Sequence, residues 1–103
     1  MAMKLEETVI SMIANAGDSK SSSLEAISYA KEGNHQKARE CLENSEKALG
    51  IAHNAHRVLL ALEAKEDISI TVLIVHAMNH LSVAESTKYF ADELVSLYES
   101  QTK

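Results

Sequence analysis

The chain has 103 residues, which fits one small domain whose core is adequate but not generous. It contains no proline and only three glycines, and Ala, Leu, Glu and Lys abound, so helices can run unbroken and an all-α fold is favoured. The formal net charge is −5 and no cluster of Lys or Arg lies along one face, which argues against nucleic acid or an anionic membrane surface as a partner.

The N-terminal stretch MAMKLEETVISMIANAG carries acidic residues where a signal peptide has a positive region, and its apolar residues are periodic rather than continuous. No run approaches the roughly 18–20 apolar residues of a membrane span. The single cysteine, Cys41, has no internal partner for a disulfide. A cytoplasmic protein without membrane insertion is the expectation.

Leu5, Val9, Met12, Ile13 and Ala16 are spaced as one face of a helix. Asn15–Asp18 interrupts the stripe, serines follow, and Ser22 with Glu25 matches a capping box. Leu24, Ile27 and Ala30 then resume it. The first helix is expected over about 4–32, with a kink or restart near Gly17–Ser22.

Glu32-Gly33-Asn34 is the clearest punctuation: Gly33 suits the left-handed residue after a helix and Asn34 the N-cap of the next. A second helix follows over about 35–64, with Ala38, Cys41, Leu42, Ser45, Ala48, Leu49, Ala52, Ala55, His56, Leu59 and Leu62 on its inner side. Gly50 in its middle suggests close packing there. Lys65-Glu66-Asp67 leads into a third helix over about 68–100. Three long helices joined by short loops must run up-down-up, and no repeat or linker divides residues 1–103 into further domains.

The third helix has two apolar stripes. Val72, Leu73, His76, Asn79, His80, Val83, Phe90, Leu94 and Leu97 form one, and Ile70, Ile74, Ala77, Met78, Leu81, Ala84 and Val95 the other. A helix apolar nearly all round is buried on most sides. Two partner helices cover one stripe, so the second is expected to pack against other copies of the chain. Beyond Ser82 the outer positions turn polar, Lys88 and Asp92 among them.

His76 and His80 stand out in this apolar company, and three readings compete. Histidines four residues apart can share a metal ion, with His53 and His56 completing its shell. They can be packed, hydrogen-bonded core residues. One can be a nucleophile, since neutral imidazole is reactive near its pKa. Cys41 is read as packing, His53, His56 and Arg57 as a solvated or half-buried face, and His35 as a surface residue.

The run LIVHAMNHLSVAES, residues 73–86, resembles the third-helix signature of lactose/cellobiose-family enzyme IIA proteins of the bacterial phosphoenolpyruvate-dependent sugar phosphotransferase system, commonly close to LVHAQDHLMTS. IANAGDSKSSSLEAISYAKEGNHQKA, residues 13–38, is similar to that family's first helix and turn. The resemblance implies a trimer of three-helix subunits forming a nine-helix bundle. It implies that His76 accepts a phosphoryl group on Nε2 from phospho-HPr and passes it to a cysteine of a cognate IIB component, with His80 as a supporting neighbour. Two positions depart from the signature. Met78 replaces a Gln that would support the site or the subunit contact. Asn79 replaces the Asp that, in the family, sits near the trimer axis and binds a central divalent cation with its copies. Three neutral amides repel far less than three carboxylates, so no axial metal and no other cofactor is expected. The alternative from another class is a catalytically silent oligomerisation or adaptor protein with structural histidines.

Overall fold

A computed structural model describes residues 2–65 and 68–101, with side chains from residue 4 onward. Its elements are three helices, α1 (Ala2–Lys31), α2 (His35–Lys65) and α3 (Val72–Gln101), in a rod of 56 × 17 × 16 Å. α1 packs closely against both other helices, while α2 and α3 touch more sparingly. The all-α, up-down-up expectation holds. Glu66 and Asp67, expected in the second loop, lie outside the described residues.

The first turn is built by its sequence. Gly33 adopts φ of 84°, its N–H donates to Ala30 O at 3.0 Å, and that of Asn34 reaches back to Tyr29 O at 2.9 Å. This is a Schellman closure around a left-handed glycine. Asn34 then caps α2, its Oδ1 accepting from Lys37 N at 3.3 Å. α3 starts at Val72 rather than Ile68 because Thr71 is the cap: its Oγ1 accepts from Ile74 N at 3.3 Å. Ile68, outside the helix, packs against the core.

α1 runs through Gly17–Ser22 without a kink or restart. The serines expected to bend it go inward instead. Ser19, Ser23 and Ser45 are all fully buried, and Ser45 Oγ lies 2.8 Å from Ser19 Oγ and 2.7 Å from Ser23 Oγ. Ser45 also donates to Ser19 O at 2.9 Å. With Ser23 inside, Leu24 turns outward and Ser22 becomes a mid-helix residue rather than a cap.

The serines separate two apolar clusters. One gathers Val9, Met12, Ala16, Ala52, Ala55, Leu59, Ile74, Ala77, Leu81 and Ala84, and the other Ala26, Ala30, Ala38, Leu42, Ala91 and Val95. Alanine dominates both, which lets helix axes approach closely. Gly50 contributes nothing to this approach, for no atom lies near where its Cβ would be.

The stripes of α3 are used in the reverse of the expected sense. Ile74, Ala77, Leu81, Ala84 and Val95 face the subunit's own core, joined by Ala91. The stripe carrying Val72, Leu73, Val83, Phe90, Leu94 and Leu97 is exposed. Periodicity gives two stripes of equal standing; side-chain size decides between them, because small residues fit a close three-helix contact. Ile70 and Met78 also lie outside. Lys88, expected on the outer face, follows Ala84 by one turn and reaches between α2 and α3 to Glu46 at 2.7 Å and Asp92 at 2.8 Å. Burial lowers its pKa, but the hydrogen bonds to Asp92 and Glu46 outweigh that and hold the ammonium above its usual value.

Candidate functional site

His76 falls on the second turn of α3. Its neighbours Ala77 and Leu81 are buried in the core, which fixes the rotation of the helix. His76 therefore emerges on the flank that turns toward α1, where it shares a groove with Lys20, and His80 lies one turn further along the same flank. His76 is exposed and His80 half-buried. Their Nε2 atoms are 3.1 Å apart, with ring centroids 4.5 Å apart and planes at 89°. Such an edge-on contact between two ring nitrogens requires one N–H to donate and the other nitrogen to offer its lone pair.

The two imidazoles open onto a shallow groove of about 250 Å³ whose other lining residues are Asn79 and Val83 of α3 and Lys20 of α1. Among the described residues no carboxylate lines it, although the chain as a whole carries net charge −5. Chemically the groove offers a nucleophilic nitrogen, a second imidazole within hydrogen-bond reach, a side-chain amide and an ammonium. That set favours an anion of tetrahedral or planar oxygens. Two larger grooves hold no imidazole: one includes Arg39, Glu46, Lys88 and Asp92 between α2 and α3, the other Ser11, Ile51, Arg57 and Val58 between α1 and α2.

Sequence reasoning brings His76, Asn79 and His80 to one place, and the structure does the same. Met78 is not with them. Two residues from His76 it is turned about 200° round the helix, and it sits exposed away from the groove. Lys20 was not among the residues singled out from sequence. Its signal was slight: it is the only basic residue between Lys4 and Lys31, in a segment whose serines suggested a bend.

The other histidines do not converge here. His53 pairs across α2 and α3 with Glu85 at 3.0 Å, and His56 is half-buried on α2. Among the described residues no group of three or more His, Cys, Asp or Glu is placed to hold a metal. The His76–His80 pair thus lacks the further ligands from His53 and His56 that a metal shell would need. Cys41 is half-buried; burial, with Glu25 and Glu40 adding to it, pushes its thiol above the usual value, as suits packing rather than reactivity. No helix among the described residues is long and apolar enough to cross a membrane.

Comparison with known proteins agrees with this architecture. The family described as the lactose/cellobiose-specific IIA subunit of the PTS system matches residues 7–99. The lichenan-specific phosphotransferase enzyme IIA component of Bacillus subtilis is 36% identical over 104 aligned positions, covering 100% of this chain and 94% of that protein. The N,N'-diacetylchitobiose-specific EIIA component of Escherichia coli is 31% identical over 95% of this chain and 85% of its own length. The crystal structure of the cellobiose-specific enzyme IIA from Bacillus anthracis superposes with a TM-score of 0.90 at 32% identity, covering 95% of this chain and 91% of that one. Coverage, identity and fold agree along nearly the whole rod, and the chain belongs to the lactose/cellobiose-specific IIA family of the phosphotransferase system.

Proposed function

We propose that this IIA protein is a phosphocarrier in which His76 accepts a phosphoryl group from phospho-HPr and passes it to a cysteine of its IIB component, serving uptake of a disaccharide of the lactose, cellobiose or chitobiose type. The observation that carries the reading is the exposed His76 imidazole, braced at 3.1 Å by His80 and opening onto a groove with no carboxylate among the described residues that line it. A phosphoryl carrier needs that combination: a reachable nitrogen, held in one orientation, where negative charge is tolerated.

The tautomer follows from the chemistry. For Nε2 of His76 to attack phosphorus it must hold its lone pair, so His80 donates its Nε2–H in the resting state. In the transfer, that lone pair forms the new P–N bond as the donor's P–N bond breaks and its electron pair returns to the donor nitrogen. The His80 N–H is then released to a phosphoryl oxygen. The exchange is nearly balanced between two nitrogens, so positioning is most of what the protein supplies.

The active form is a homotrimer in this reading. Support comes from the distribution of side-chain size: the core is mainly alanine, while Val72 is 87% and Phe90 61% exposed on α3. Beside the two histidines, that exposed strip carries the polar Asn79. Three amide oxygens offer a divalent cation no net charge to offset its dehydration, so the residues do not fit an axial metal and no step depends on one.

The test is incubation with phosphoenolpyruvate, enzyme I and HPr. The protein gains the mass of one phosphoryl group in an acid-labile form, and His76→Ala gains none. A wild-type protein that gains nothing, or a His76→Ala variant that still gains it, would replace the carrier with a silent helical assembly.

A further inference from the structure

α1 is locked in rotation by Ser19 and Ser23, both fully buried and both bonded to Ser45. Lys20 follows Ser19 directly, so it lies about 100° round the helix from a fixed core contact. That direction is the flank of α3 that carries the histidines, and Lys20 lines the groove with His76, Asn79 and His80. Lys20 is itself exposed. It makes no ion pair among the described residues, in contrast to Lys88 and Arg39, which are engaged by Glu46 and Asp92 and by Glu99. Lys20 is thus an ammonium without a carboxylate, beside an imidazole without a carboxylate, in an acidic protein.

A phosphoryl group on His76 would bring a charge of about −1.5 to −2 into this groove. The groove offers it His80 and Asn79 as hydrogen-bond donors, and one full positive charge. We propose that Lys20 binds the phosphoryl oxygens of phosphorylated His76, completing an anion site built from two helices. The assignment rests on the carrier reading of His76. In the transfer described above, Lys20 exchanges no proton. It acts by charge alone, strengthening as negative charge settles on the oxygens facing it and weakening as the group leaves for the IIB cysteine.

The experiment compares wild type, Lys20→Gln and Lys20→Arg, each checked for unchanged helicity and assembly. Two quantities are read: the rate of phosphoryl transfer from phospho-HPr, and the second ionisation of the phosphohistidine followed by ³¹P NMR. Lys20→Gln is expected to slow transfer about tenfold or more. It also raises the second pKa of the phosphoryl group, because a nearby cation favours the dianion and its removal withdraws that favour. Lys20→Arg retains most of the rate and the wild-type titration. Lys20→Gln with wild-type transfer, or with slowed transfer but an unaltered ³¹P titration, overturns the assignment while His76 remains the carrier. A wild-type protein that takes up no phosphate overturns both.

Discussion

At the scale of single residues, the fold turns on small side chains that composition makes look unimportant. Ser45 is the hub of a fully buried trio, donating to Ser19 O while the hydroxyls of Ser19 and Ser23 sit 2.8 and 2.7 Å from its oxygen. Ser45→Ala is expected to lower unfolding stability by about 1–3 kcal/mol, because it strands two buried hydroxyls. Replacing Ser19, Ser23 and Ser45 together with Ala should cost less than the single change, since no unpaired polar group remains. Urea denaturation of the two variants decides this, and a triple variant much weaker than Ser45→Ala would count against the network. The serines were visible in the sequence but misread. SKSSS resembles a bend by composition, and nothing in α1 alone tells that a single serine in α2, 26 residues beyond Ser19 and 22 beyond Ser23, would receive them. Lys20 was overlooked for the same reason: its significance comes from α3, not from its own neighbours.

At the scale of elements, the ends of the helices were far more legible than their insides. Gly33 and Asn34 signalled the first turn because a left-handed residue and an N-cap are local requirements, met by local bonds at 3.0 and 3.3 Å. Gly33→Ala forces an L side chain to φ of 84° with no clash around the added carbon, so its effect is purely conformational. A loss of about 1 kcal/mol in unfolding free energy is expected, and an unchanged urea midpoint would show that the turn relaxes to another conformation. The two faces of α3 were each found from periodicity, but their assignment was reversed. Ala77, Ala84 and Ala91 are weak in hydrophobicity and strong in permitting approach, a property that only appears when a second helix is laid against them. Lys88 was likewise placed outside, because a charge at a core register is read as an error until Glu46 and Asp92 are seen beside it.

At the scale of the whole molecule, a single chain leaves many of its larger apolar residues uncovered. Its accessible surface is 6508 Å², against about 5,700 Å² for a compact monomer of this mass. Val72, Val75, Val83, Phe90, Leu94 and Leu97 of α3 supply much of the apolar excess, a strip that in a monomer would be a large exposed patch. The homotrimer proposed with the carrier reading would cover it. Sedimentation is expected to give a trimer mass at micromolar concentration, and Val75→Glu, which puts a charge beside Asn79 in that strip, to give smaller species with helicity retained. A wild-type monomer would contradict the assembly.

The central claim is that one nitrogen of one histidine carries the phosphoryl group. With ¹⁵N-labelled histidine, the ring nitrogens of all five histidines can be followed while phosphoenolpyruvate, enzyme I and HPr are added. The account predicts that Nε2 of His76 moves to the position of a phosphorylated nitrogen, that His80 responds as its hydrogen bond is released, and that His35, His53 and His56 stay where they were. Phosphate on His80 or any other histidine, or five unaltered rings, would contradict it.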